Sequence, residues 1–251
     1  MKNNKNKRNI ILIPARSGSM RVKNKNLKKI NNYPLIYFVI RACIKSKSGR
    51  VVVSTDSKKI AKTAIKFGAD VPFLRPKSIS TSNSSSISCL IHCLKWLKDN
   101  EHYEPENIAF CPPTNPFIKY LTLKRMFLLL KKNRKVNSVV TVYSSETHPF
   151  SLINFKKNKL LKMGHYKVNK YSRYDFERTQ DWPKSYAYSP SVRITRLKYF
   201  KKFLNKNLIT IDNETFDSKN CIGFSISRNE AFDINDNLDF FIANNLFKSL
   251  K

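Results

Sequence analysis

Acidic residues are scarce in this chain. Its 251 residues carry 17 Asp and Glu against 48 Lys and Arg, a formal charge of +31. Such an excess ordinarily points to nucleic acid. Here the lysines are dispersed through every segment beside many asparagines, not gathered into a stripe with interleaved rings for base stacking. The excess reads as a solvated surface that sticks weakly at low salt, and no specific nucleic-acid partner is expected. Long apolar runs are also missing. None reaches the roughly eighteen residues of a membrane span, so no membrane association is expected. The basic opening at residues 1–9 leads only into residues 10–13, which Pro14 and Arg16 cut short. That is too brief for a signal-peptide core, and the expected location is the cytoplasm. Five cysteines, Cys43, Cys89, Cys93, Cys111 and Cys221, are odd in number and widely spread, which favours reduced core thiols over disulfides. His92 between Cys89 and Cys93 suggests zinc, yet no second ligand pair follows at a usual spacing.

What is present is an alternation of short apolar runs and helical periodicities. With 41% hydrophobic residues the chain can build a full core, and its length suits one domain carrying an insertion. Residues 10–13, 50–54 and 108–111 read as buried strands. Ile36, Val39, Ile40 and Cys43 recur at helical spacing after Pro34, which opens that helix. A helix over about 58–67 ends at Gly68, a natural cap. Serines at 84–86 precede Ile87, Leu90, Ile91, Leu94 and Leu97, an amphipathic helix. A helix over 121–132, strands at 138–143, 191–194 and 221–226, and a closing helix over about 237–250 complete the pattern. This order predicts an α/β domain with a largely parallel sheet. Between about 144 and 190 the composition turns aromatic, polar and charged with little helical period, which reads as an inserted subdomain.

Open α/β sheets bind ligands at the carboxyl ends of their strands. The loop after the first strand runs from Pro14 through Arg16, Ser17, Gly18, Ser19, Arg21 and Lys23 to Lys25 and Asn26. Its cations, hydroxyls and backbone N–H groups suit a polyphosphate as well as they suit a solvated basic turn. With no Gly-Lys-Ser/Thr ending it is not a Walker A loop, and Gly18 alone makes no dinucleotide fingerprint.

Pro14-Ala15-Arg16-Ser17-Gly18-Ser19 with Lys25-Asn26 resembles the opening signature of the acylneuraminate cytidylyltransferases. The same resemblance continues in order through residues 51–56, through Phe73-Leu74-Arg75-Pro76 and Ser85-Ser86, and through Pro113-Thr114-Asn115-Pro116. It returns at 178–186 and in Phe232-Asp233-Ile234-Asn235-Asp236. It implies a three-layer α/β fold of the nucleotide-diphospho-sugar-transferase (Rossmann-like) kind, with a mixed, mainly parallel sheet and an arm at about 144–190 that makes a homodimer. It implies transfer of CMP from CTP to the anomeric hydroxyl of an acidic nine-carbon sugar, with release of pyrophosphate, as in cell-surface polysaccharide synthesis. Arg16, Ser19 and Lys25 would hold phosphates, and Asn26, Arg75 and Ser86 would complete the nucleotide site. Asp233 and Asn235 would hold Mg²⁺, and Arg178 or Arg193 would meet the sugar carboxylate. Arg16, Lys25 and Asp233 would be the catalytic set.

This chain also departs from that family. The usual second metal Asp is Asn235, which keeps an oxygen and loses the charge, so affinity for the ion falls unless Asp236 or Asp239 compensates. Pro112 replaces a Gln, Ser82-Asn83 an Asp-Thr, Ala187 an arginine and Arg193 a tyrosine. The acceptor is thus open among sialic, legionaminic and pseudaminic types. Another acidic sugar or nucleotide, and a member that binds without turnover, stay open beside it. Asp56 reads either as the cap of the following helix or as a carboxylate facing the nucleotide. The general base is open among Asp181, Lys23 and a metal-bound water.

Overall fold

The computed structural model describes residues 8–156, 159–163, 167–204 and 215–249. In chain order its strands and helices are β1 (Asn9–Pro14), β2 (Lys29–Ile30), β3 (Tyr33–Pro34), α1 (Leu35–Ser46), β4 (Arg50–Ser54), α2 (Lys58–Lys66), α3 (Ser86–Glu101), β5 (Asn107–Phe110), α4 (Tyr120–Lys132) and β6 (Ser138–Ser144). The chain continues through β7 (Ile153–Lys156), β8 (Lys159–Met163), β9 (Tyr186–Arg196), α5 (Leu197–Leu204), β10 (Cys221–Ser225), α6 (Arg228–Ala231) and α7 (Asn237–Ser249). One six-stranded sheet runs β10-β6-β9-β5-β1-β4. Every pairing in it is parallel except the two that β9 makes with β5 and β6.

The strand period of two divides the core into layers. Ile11, Ile13, Val51, Val53, Ala109 and Cys111 face one side and pack against α1, α2 and α4. Ile10, Leu12, Val52, Ile108 and Phe110 face the other and pack against α3 and α5. Ile10, Ile11, Leu12 and Ile13 have no exposed area at all, and each contributes about 1.5–3 kcal/mol by leaving water. The result is the expected three-layer, mainly parallel α/β fold. A third cluster, Val22, Ile30, Leu35, Ile234, Phe240 and Ala243, seats α7 against the chain that follows the first loop. Among the described residues, no helix is long and apolar enough to cross a membrane.

Several local expectations are refined. Of the serines at 84–86, Ser85 caps α3, its hydroxyl accepting from the Ser88 N–H at 3.3 Å. Ser57 caps α2, so Asp56 is released from that role. Pro34 stands just before α1 and not inside it. Cys43, Cys89, Cys93 and Cys111 are buried free thiols, whereas Cys221 is only half-buried. His92 packs edge-on against Phe73 at 4.7 Å. Helix α5 was not expected: it leaves β9 with no glycine or cap between them, so nothing in the sequence punctuates the change.

The inserted arm is narrower than expected and partly outside the described residues. Tyr186, Ala187 and Tyr188 pair with Ser144, Tyr143 and Val142, so both sheet strands extend into its base. His148, Phe150 and Trp182 pack together with ring centroids 4.4–5.4 Å apart. Phe150 is fully buried there, giving the arm a small core of its own.

Candidate active site

Parallel β1, β4 and β5 end at one edge, and the loops that leave them meet there. Ser17 donates its N–H and its hydroxyl to the Asp56 carboxylate at 2.8 and 2.5 Å, which ties the first loop to the end of β4. Asn26, buried at the far end of that loop, donates its side-chain N–H to the Arg16 carbonyl at 2.9 Å. Asn24 takes a left-handed conformation to start the turn carrying Lys25 and Asn26. The loop is therefore braced at both ends.

The braced loop forms one wall of an open cavity of about 620 Å³. Pro14, Arg16, Ser19, Met20, Arg21, Lys25 and Asn26 make that wall, and Ser82, Asn83, Pro112, Pro113 and Thr114 make the other. Three cations and no carboxylate line it, so its field favours an anion. One guanidinium nitrogen of Arg16 is buried without a partner, a donor that a ligand oxygen would satisfy. Of the residues expected at a nucleotide, Arg16, Ser19, Lys25 and Asn26 come together here. Arg75 and Ser86 do not line this cavity. Arg75 is buried, its guanidinium donating to the Ser54 carbonyl and, at 3.1 Å, to the Ser54 hydroxyl. Ser86 is exposed at the start of α3. Arg21 was not singled out beforehand, although its place in the same basic loop was the available signal.

The acidic turn before α7 is fastened to two residues of the cavity wall, Thr114 and Lys25. Ile234 donates its N–H to the Thr114 carbonyl at 2.8 Å, and Asn115 donates its side-chain N–H to the Phe232 carbonyl at 3.1 Å. Lys25 reaches the same turn, its ammonium donating to the Ile234 carbonyl at 2.7 Å. Burial pushes the Lys25 pKa below its ordinary value, Asp233 pulls it back, and Arg21 adds to the depression. Asn235 donates its amide N–H to one oxygen of Asp233 at 3.1 Å, and the other oxygen, Oδ1, is buried with no partner. Asp239 accepts from the N–H groups of Asn235 and Asp236 at 2.7 and 3.1 Å, and Asp236 accepts from the Asp239 N–H at 3.0 Å. That reciprocal arrangement caps α7 and commits Asp236 and Asp239 to the helix start.

Asp233 also borders a second recess, of about 260 Å³, lined by Tyr143, Glu146, Tyr188, Pro190, Arg228, Ala231, Phe232 and Asp233. Arg193, on β9, does not line it; it is buried, with its guanidinium carbon 4.6 Å from the centroid of Phe110 and a 2.6 Å donation to the hydroxyl of Tyr188, which does. Arg178 lies on the arm in a bidentate pair with Asp181, at 2.8 and 3.1 Å. The two arginines expected at a sugar thus have different surroundings: Arg193 bonds to a residue that lines the recess and Arg178 faces a carboxylate of its own.

The family model described as Cytidylyltransferase matches residues 10–203, which span the braced loop, the arm and five of the six sheet strands. The chain belongs to the cytidylyltransferase family. Flagellin modification protein B of Campylobacter coli, described as post-translational, is 28% identical over 94% of this cytidylyltransferase and 93% of its own length. The CMP-N,N'-diacetyllegionaminic acid synthase of Campylobacter jejuni subsp. jejuni is 29% identical over 92% of the chain and 91% of its own length. Among solved structures, a CMP:2-keto-3-deoxy-manno-octonic acid synthetase complexed with CTP superposes with a TM-score of 0.69 at 14% identity. It covers 97% of this chain and 99% of that one, and so supports the fold.

Proposed function

We propose that this cytidylyltransferase transfers CMP from CTP to the anomeric hydroxyl of an acidic nine-carbon sugar of the sialic, legionaminic or pseudaminic type, releasing pyrophosphate. One observation carries the reading. Lys25 crosses from the cationic loop to the carbonyl of Ile234 and so fixes the polyphosphate wall against Asp233. The attacking hydroxyl and the α-phosphorus meet at that seam. In-line displacement there depends on positioning and on neutralising charge, with no covalent intermediate on the protein. Arg16, Arg21 and Lys25 hold the phosphates of the donor, and the recess across Asp233 holds the acceptor.

The residues present fit a divalent cation such as Mg²⁺. The Oδ1 of Asp233 is a buried oxygen without a partner, and Asn235 stands beside it. Among the described residues no group of three or more His, Cys, Asp or Glu could hold a metal. Asp233 and the Asn235 amide would therefore hold the ion together with phosphate oxygens and water, the usual arrangement for Mg²⁺. When bound, the ion neutralises phosphate charge. Since Asp236 and Asp239 cap α7, they do not replace the charge missing at Asn235.

The testing assay is pyrophosphate release from CTP, UTP, ATP and GTP with a panel of nine-carbon sugar acids across a Mg²⁺ series. Release with CTP and at least one nonulosonic acid is expected, and release with another nucleotide alone would overturn the reading. In the same assay Asn235→Asp lowers the half-saturating Mg²⁺ concentration by about tenfold, the effect of one added charge on a partly exposed ion. No change would remove Asn235 from the ion's shell.

We also propose a homodimer built through the arm, whose exposed Tyr171, Tyr174 and Tyr186 are residues suited to an interface. Size exclusion with light scattering should return twice the 29.3 kDa chain mass at micromolar protein. A mass of 29.3 kDa would exclude that assembly.

A further inference from the structure

The recess beside Asp233 has one feature that the transfer chemistry leaves unused: an ion pair between Arg228 and Glu146 at its rim. The backbone beneath Arg228 is firmly held. Ser227 caps α6 by accepting from the Glu230 N–H at 3.3 Å, and the buried Glu230 carboxylate accepts from the Lys119 N–H at 3.0 Å. The paired side chains themselves are open to water, 75% exposed for Arg228 and 53% for Glu146. A pair so exposed contributes little, so another carboxylate can take the place of Glu146 at little cost.

The rest of the recess sets what that ligand must be. Tyr143, Tyr188, Phe232 and Pro190 offer apolar faces of the kind that receive the C–H face of a sugar ring. Glu146 and Asp233 are acids, so an anionic ligand entering between them needs a cation. Arg228 is the cation in this lining among the described residues. Arg193 is buried outside that lining, stacked on Phe110 and donating to Tyr188, and Arg178 is already paired with Asp181. Arginine's planar fork suits a carboxylate bidentately.

We infer that Arg228 is the specificity residue that reads the carboxylate of the acceptor sugar, exchanging Glu146 for it when the acceptor binds. The inference rests on the proposed transfer reaction. It assigns the carboxylate to α6, and not to the arm arginine or to the strand arginine that the sequence pointed to.

The test uses the full chain and the best acceptor of the panel, at saturating CTP. Arg228→Ala raises KM for the sugar acid by about tenfold or more, the loss of a charge-assisted hydrogen bond, while KM for CTP stays within about twofold. Arg228→Lys recovers part of the loss, and Glu146→Gln lowers KM by freeing the arginine. The methyl ester of the same sugar has no charge to read, so wild type and Arg228→Ala use it equally. A rise in KM for CTP in step with that for the acid, an unchanged KM for the acid, or a penalty that persists with the ester would each overturn the assignment. Calorimetric titration of the acid into wild type and Arg228→Ala reads the same ratio without turnover. A chain that releases no pyrophosphate therefore overturns the transfer reaction while this ratio still decides the role of Arg228. A wild type that binds no acid overturns both.

Discussion

Lys25→Ala lowers kcat/KM for CTP by about 10²–10³-fold, the usual effect of removing one preorganised group aimed at developing charge. Two consequences of the geometry set that size. The ammonium is a cation in a cavity wall that holds no carboxylate. It is also the link between the first loop and the acidic turn, through the Ile234 carbonyl at 2.7 Å. On the proposed reading, truncation removes charge from the phosphates and loosens the seam where donor and acceptor meet. The pH profile separates the two effects. Because burial depresses the Lys25 pKa in the free protein, and kcat/KM reports the free enzyme, the alkaline limb falls at a lower pH than an ordinary lysine would give. The sign is fixed: raising pH removes the proton, and with it the positive charge that holds the phosphates. Lys25→Arg keeps its charge through that range and moves the limb outward. A profile with an unmoved limb in Lys25→Arg would show that another group titrates there.

The second large effect is on stability, far from the chemistry. Arg50 opens β4 and is buried, with its Nε 2.8 Å from Asp70 Oδ2 and both terminal nitrogens on the Glu101 carboxylate. The ring of Tyr103 lies 6.0 Å from the guanidinium carbon. Arg50→Leu keeps most of the volume and strands two carboxylates, of which Glu101 has a side chain only 13% exposed. Breaking a buried pair in this way costs about 3–5 kcal/mol. For a chain of this size that is a fall in Tm of about 6–20 °C, measurable by scanning calorimetry. The deficit narrows as pH falls, because a buried carboxylate without its cation has a raised pKa and readily takes up a proton. Arg50→Leu with Glu101→Leu recovers most of the loss. A single variant that melts with the wild type would show the triad to be energetically neutral.

The contrast between these two sites shows what the sequence makes legible. Strands β1 and β4 could be placed to within a residue or so, because an unbroken apolar run bounded by Pro14, or by Gly49 and Asp56, admits few other structures. The cationic loop could be placed for the same reason, since a loop must follow β1. The bond from Lys25 to Ile234 could not be read from periodicity, because no local rule joins residues 209 positions apart. Only the likeness to a known family placed Lys25 and Asp233 in one site. The Ser17–Asp56 tie, the Asn115 clamp and the Arg50 triad left no signal, since each is a polar contact decided by tertiary packing. Arg75 shows the converse. Beside Pro76 its guanidinium suggested a surface residue and the family likeness a nucleotide ligand, and the fold turns it inward to hold the end of β4.

Because β9 alone runs against its neighbours, the polypeptide comes back from its excursion at the reactive edge and leaves Tyr188 there as it re-enters the sheet. On the proposed reading donor and acceptor are held by different segments, the first loop for one and the surroundings of Tyr188 and Asp233 for the other. Of the described residues in 145–185 only Glu146 reaches either cavity, so the length of that segment can vary with little effect on the lining of both.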